Sequence, residues 1–179
     1  MIKKIIAPSL FILLLLPFFS QAQIKLEPRS LLNGKIELLV PDYFKPMTPE
    51  IMAVKYPNPG QQPNLVLTDE NAEVNLVISL TPQPIKPEQM GQYKDFMISS
   101  LKRSHPDAEW QDNGVKTING KKVGYFKMIS AAVDQKVFVF YFFTNVDGKA
   151  LIITFNCTET LLPKWKDTAD AIMTSLKVK

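Results

Sequence analysis

Three consecutive stretches constrain this chain more than any other feature: Lys136-Val-Phe-Val-Phe-Tyr-Phe-Phe-Thr144, Asn145-Val-Asp-Gly148 and Lys149-Ala-Leu-Ile-Ile-Thr-Phe-Asn-Cys157. They read as two strands and a tight reversal. Side chains alternate along a strand, so Val137, Val139, Tyr141 and Phe143 share one face while Phe138, Phe140 and Phe142 share the other. Both faces are apolar. A half-solvated sheet would alternate apolar with polar, so the hairpin is expected to be covered on both sides and to lie centrally in a sheet.

The first residues must be set aside before the fold is read. Lys3 and Lys4 precede an apolar run from Ile5 to Phe19, and Ser20-Gln21-Ala22 supplies small residues at the positions a signal peptidase reads. That is the anatomy of a secretory leader, residues 1–22. The run holds Pro8 and Pro17 and falls short of the roughly twenty residues a spanning helix needs. No cysteine stands at the cleavage site to take a lipid, because the only cysteine is Cys157. The expected location is periplasmic or secreted, with no stable membrane insertion after cleavage.

About 157 residues follow the leader, enough for one domain with a sizeable core. Residues 23–179 are read as that domain, with 23–33 a loosely tied lead-in. Without Lys3 and Lys4 the net charge falls from +4 to +2. The remaining Lys and Arg are scattered among acids, so no nucleic-acid footprint is expected. One cysteine permits no internal disulfide, and Cys157, closing an apolar strand, reads as a buried inert thiol.

Along the chain, Gly34 to Val40 reads as a first strand closed by Pro41-Asp42. Thr48-Pro49-Glu50 opens a short helix, since threonine caps, proline suits the first helical position and glutamate favours the positive end. Tyr56-Pro57-Asn58-Pro59-Gly60 stops it. Asn64–Thr68 and Glu73–Leu80 read as paired strands, with Val74, Leu76, Ile78 and Leu80 on one face. After the proline-rich Thr81–Pro87, Met90, Tyr93, Phe96, Met97 and Leu101 recur at helical spacing until His105-Pro106. Strands at Trp110–Ile118 and Val123–Ala132 flank Asn119-Gly120, a strong hairpin signal. A last helix begins near Leu161 or Pro163, with Trp165, Ala169, Ile172, Met173 and Leu176 as its apolar stripe. The expected fold class is α+β, an antiparallel sheet of about six to seven strands flanked by helices on both faces.

Lys35-Ile-Glu-Leu-Leu-Val-Pro41, the Glu73-Val-Asn-Leu-Val-Ile strand with its ensuing long helix, and Ile118-Asn-Gly-Lys121 form a recognisable series. With Asp147-Gly148, Phe155-Asn-Cys157 and Trp165 through Ser175-Leu176, it resembles the PsbP/DcrB-like family over nearly all of the mature chain. That family also includes a Ran-binding protein of nuclear import. The resemblance implies an α/β/α sandwich. Its members include a lumenal accessory of photosynthetic water oxidation, a small-GTPase binder and a periplasmic protein linked to phage sensitivity. It therefore implies non-catalytic binding or accessory work, by analogy of fold. No functional motif of the family is carried over onto residues of this chain.

The residues themselves offer little catalytic chemistry. His105 is the only histidine and reads as a helix terminator; no Gly-x-Ser-x-Gly elbow is present. One histidine and one cysteine cannot build a closed zinc site. Asp69-Glu70-Asn71 lacks calcium-loop spacing and reads as a solvated turn. No glycine-rich phosphate loop is found, and no cofactor is expected. The least ordinary feature is the pair of proline-rich connections, Tyr56–Pro63 and Thr81–Pro87. Prolines pre-order such loops and lower the entropy cost of presenting them to a partner. Tyr43, Phe44, Tyr56, Pro57, Pro59, Pro82, Pro84 and Pro87 are the candidate partner-binding residues, the partner being a protein of the cell envelope. The expectation is a non-enzymatic module. A carrier with an apolar cavity between sheet and helix is the alternative, and a hydrolase, which would need His105 beside a nucleophile, a distant third.

Overall fold

The computed structural model describes residues 24–132 and 135–179; the leader expected over residues 1–22 lies outside them. Among the described residues ten strands and three α-helices follow one another: β1 (Leu26–Leu31), β2 (Ile36–Pro41), β3 (Lys45–Pro46), α1 (Pro49–Lys55), β4 (Leu65–Thr68), β5 (Val74–Pro84), α2 (Met90–Ser104), β6 (Glu109–Ile118), β7 (Lys121–Ala131), β8 (Lys136–Val146), β9 (Lys149–Thr158), α3 (Leu162–Thr174) and β10 (Lys177–Val178). Seven strands form one antiparallel sheet in the order β3-β4-β5-β9-β8-β7-β6, and β1-β2-β10 form a second. The fold class is the expected α+β.

The organising hairpin is β8–β9, paired from Val137↔Thr158 to Val146↔Lys149 and central in the large sheet. Its two-residue turn places Asp147 at φ 51° and Gly148 at φ 77°; Asn119 and Gly120 do the same at φ 47° and 80°. Positive φ at both positions matches the right-handed twist of the strands that such a turn joins. Phe138, Phe140 and Phe142 are fully buried on one face, beside Leu76, Ile78, Ile153 and Phe155. That face is covered by Ile36, Leu38 and Val40 of β2 together with Trp165, Ala169, Ile172 and Met173 of α3. Lys127, nearly buried on β7, reaches Asp170 of α3 at 2.6 Å and lies 4.6 Å from the Phe140 ring centroid. Residues Met90, Tyr93, Met97, Ile98 and Leu101 of α2 pack on Phe126, Phe143, Ala150 and Ile152 of the opposite face. Helices thus lie on both faces of the large sheet.

Three expectations need correction. Ile24–Asn33 is no loose lead-in: β1 pairs residue for residue with β2 from Leu26↔Pro41 to Leu31↔Ile36. Arg29 secures it by donating to the carbonyls of Pro41, Asp42 and Phe44 at 3.2, 2.8 and 2.7 Å. The strand at Gly34–Val40 joins this smaller sheet instead of the large one, so one face is closed by a mixed layer of sheet and helix. Phe96 does not belong to the buried stripe of α2; it is 64% exposed, and Ile98 packs inward instead.

Cys157 is fully buried in β9, and burial pushes its thiol up to about 12. Below that value little thiolate forms, and the thiolate is the reactive species. Native protein is therefore expected to resist a thiol–disulfide reagent across neutral and moderately alkaline pH, and to react at once in urea. Rapid labelling without denaturant would show that β9 opens locally.

Candidate binding surface

The two proline-rich connections are tied to each other where β4 begins and β5 runs past it. Thr48 caps α1 by accepting from the Ile51 amide at 3.4 Å, and Tyr56 ends the helix by donating its N–H to Met52 O. The chain then makes a single 3₁₀ turn at Pro59–Gln61, and the Gln62 amide donates to Tyr56 O at 3.0 Å. Asn64 follows, and its Oδ1 accepts the Leu80 amide at 2.6 Å. This bond ties the first connection to the second. β4 pairs with β5 only up to Leu65↔Ile78, so β5 overhangs from Ser79 to Pro84 without that neighbour. Pro82 and Pro84 lie on the overhang; having no N–H, they make it a poor template for an added strand.

The candidate residues fall into different environments. Pro57, Pro59, Pro82, Pro84 and Pro87 are exposed. Tyr43 is 45% exposed and lines a groove of about 380 Å³ with Met47, Ile51 and Asp69. Burial, then the charges of Asp69 and Asp42, push its phenol up. Phe44, expected as an aromatic anchor, is 1% exposed and packs on Trp165 with centroids 5.6 Å apart. It belongs to the core and cannot touch a partner.

Tyr56 is half-buried and lines a second groove, of about 390 Å³, on the α2 face of the large sheet. Val77, Met128, Val137 and Val139 provide apolar floor, while Tyr141, Thr154 and Asn156 add neutral polar groups. The covering of β8 is thus incomplete: α2 takes Phe143, and Val137 and Val139 remain in an open groove. Burial pushes up both the Tyr56 and the Tyr141 phenol. Both stay protonated and able to donate in neutral solution. Reading β8 as evenly covered hid this groove; the polar Thr154 and Asn156 on the same face were the available signal.

His105 is the C-cap of α2, its N–H reaching Leu101 O at 2.7 Å, and it also lines this groove. Its Nδ1 lies 3.2 Å from Ser130 Oγ, so a histidine–hydroxyl pair exists. A catalytic base needs a third group to orient it and donors for the oxyanion. Among the described residues no carboxylate bonds to His105, and Ser130 Oγ also lies 3.4 Å from Ala131 O. The pair is a link between helix end and strand.

A third concavity, of about 310 Å³, lies between the β5 overhang and α2. Gln83, Pro84 and Ile85 line one part, and Gln92, Tyr93 and Phe96 another. Phe96 stacks on Tyr93 at 6.5 Å and 28°, and Tyr93 meets Phe143 edge-on at 5.3 Å. Neither Tyr93 nor Phe96 was singled out for binding at the sequence level, because both matched the helical stripe. Among the described residues, no helix is long and apolar enough to cross a membrane.

No family model matches the chain, and no curated protein matches it. Solved structures do. The cyanobacterial PsbP (CyanoP) of Synechocystis superposes with a TM-score of 0.62 at 15% identity, covering 89% of this chain and 96% of that one. LpqN of Mycobacterium tuberculosis, described as involved in cell envelope biogenesis, gives 0.57 at 14%, covering 87% and 91%. PA94 of Pseudomonas aeruginosa, a putative regulator of unknown function, gives 0.52 at 14%, covering 86% and 97%. At such identities the likeness shows the fold alone. That fold is PsbP/DcrB-like.

Proposed function

We propose that this PsbP/DcrB-like chain is an exported, non-catalytic binding or accessory module of the cell envelope, acting on a protein partner through its proline-rich connections. The observation that carries the reading is the bond from the Leu80 amide to Asn64 Oδ1, which ties the end of the first proline-rich connection to the start of the second. Prolines fix the loops before contact, so little entropy is lost on docking. Tyr43, Tyr56, Pro57, Pro59, Pro82, Pro84 and Pro87 are the proposed contacts. The leader-like start and the involvement of LpqN in cell envelope biogenesis support an envelope setting.

The alternative is a carrier, favoured by the neutral groove of about 390 Å³ with its apolar floor. Such volumes fall in the range of small-molecule sites. Crosslinking in the intact cell envelope, followed by mass spectrometry, separates the two. The expected result is a reproducible protein adduct that weakens in Tyr56→Ser and on replacing residues 82–87 by a Gly/Ser segment. A co-purifying small molecule with no protein adduct would overturn the proposal in favour of the carrier.

A further inference from the structure

We propose that the groove between the β5 overhang and α2 binds a proline-rich segment of the partner in the polyproline II conformation. This rests on the binding-module reading and names the partner's chemistry. Phe96 and Tyr93 form an aromatic ridge whose inner end is fixed against Phe143. None of the lining residues is Lys, Arg, Asp or Glu, in a chain of which 21% is charged. A charged ligand finds no counter-charge there.

The polar groups that remain are neutral and include free donors. Gln89 spends its Oε1 on the Lys86 amide at 3.0 Å, which leaves its side-chain N–H groups. Gln92, with no hydrogen-bond partner among the described residues, offers its N–H groups as well as its Oε1, and Gln83 spends one N–H on Pro84 O at 3.5 Å, which leaves its second N–H and its Oε1. Burial pushes the Tyr93 phenol up, so its hydroxyl remains a donor. A fitting ligand has an apolar body for the aromatic ridge and uncharged acceptors for these donors. Polyproline II has no internal hydrogen bonds, so every carbonyl is free, and each proline lacks an N–H. Aromatic-lined grooves with such donors are how extended proline-rich segments are recognised. Strand addition at this edge is blocked by Pro82 and Pro84, which leaves side-chain recognition as the available mode.

A fluorescent oligoproline peptide, with a Gly/Ser peptide of equal length as control, tests this by anisotropy. The expected result is saturable oligoproline binding and at least about tenfold weaker binding of the control. Phe96→Ser, at an exposed position and so compatible with folding, should weaken oligoproline at least about tenfold. Val54→Ser, 81% exposed on α1, should leave it unchanged. No binding at millimolar peptide, or undiminished binding by Phe96→Ser, overturns the proposal. So does saturable binding of a neutral oligosaccharide in place of the peptide. An envelope adduct that persists in Phe96→Ser but weakens in Tyr56→Ser would sink this inference alone; loss of every protein adduct would sink the module reading beneath it.

Discussion

Replacing Trp165 by alanine is expected to cost about 3–5 kcal/mol of stability, the range for deleting a buried large aromatic. Trp165 is 2% exposed and stands where three parts of the fold meet. From α3 it packs on Phe155 of β9 with centroids 5.6 Å apart, and on Phe44 of the β2–β3 loop at 5.6 Å. Phe44 is in turn fixed by Arg29 of β1, which grips the carbonyl of Phe44 itself. The cavity would therefore open between layers that no disulfide holds, since the chain has one cysteine. Urea unfolding followed by circular dichroism measures the effect. A lower midpoint with unchanged slope indicates lost native packing. Trp165→Phe, which keeps a ring in the site, should lose clearly less. A loss below about 1 kcal/mol for the alanine variant would mean that α3 closes over the gap, contrary to a packed three-way junction.

Much of this junction was legible. The stripe Trp165, Ala169, Ile172, Met173 and Leu176 has helical spacing, and all five residues are buried. Strand alternation placed Phe138, Phe140 and Phe142 on one buried face. Asn119-Gly120 and Asp147-Gly148 marked turns because few other residues accept positive φ at both positions. β1 was missed although the same dipeptide, Asn33-Gly34, precedes β2, with φ 55° and 85°. Leu26-Glu-Pro-Arg-Ser-Leu31 hid it: proline and arginine break the alternation, and what orders the strand is Arg29 bonding to carbonyls distant in sequence. The candidate surface was legible only in part. Proline content marked the loops, but periodicity could not tell Phe44 as core or Phe96 as surface. Those outcomes depend on which neighbouring layer reaches each side chain, and that is a tertiary property. The meeting of the two loops through Asn64 and Leu80, 16 residues apart, is likewise a matter of where β4 stops.

Gly124→Ala is expected to destabilise the protein by about 1–3 kcal/mol, the usual cost of overpacking a filled core. Backbone preference alone argues the opposite sign, since alanine in a strand interior should gain about 0.5–1 kcal/mol over glycine. Packing decides between them. Gly124 of β7 pairs directly with Phe143 of β8, and the Phe143 ring lies across it. A Cβ at Gly124 would sit 2.4 Å from Cε2 and 2.5 Å from Cζ of that ring. The ring is 1% exposed, with Tyr93 against it at 5.3 Å and Phe126 at 6.3 Å, so it cannot swing aside without displacing them. Thermal and urea unfolding of Gly124→Ala, Phe143→Leu and the double variant form a cycle that isolates the clash. In the Phe143→Leu background the alanine should cost less than about 0.5 kcal/mol, because the obstructing ring is gone. A Gly124→Ala variant more stable than the parent would show that the ring yields freely. The consequence reaches the proposed site, since Tyr93 is the residue on which Phe96 stacks. Where Gly124→Ala still folds, oligoproline binding should weaken with no change in any lining residue. The glycine would then hold the aromatic ridge in place through Phe143 and Tyr93.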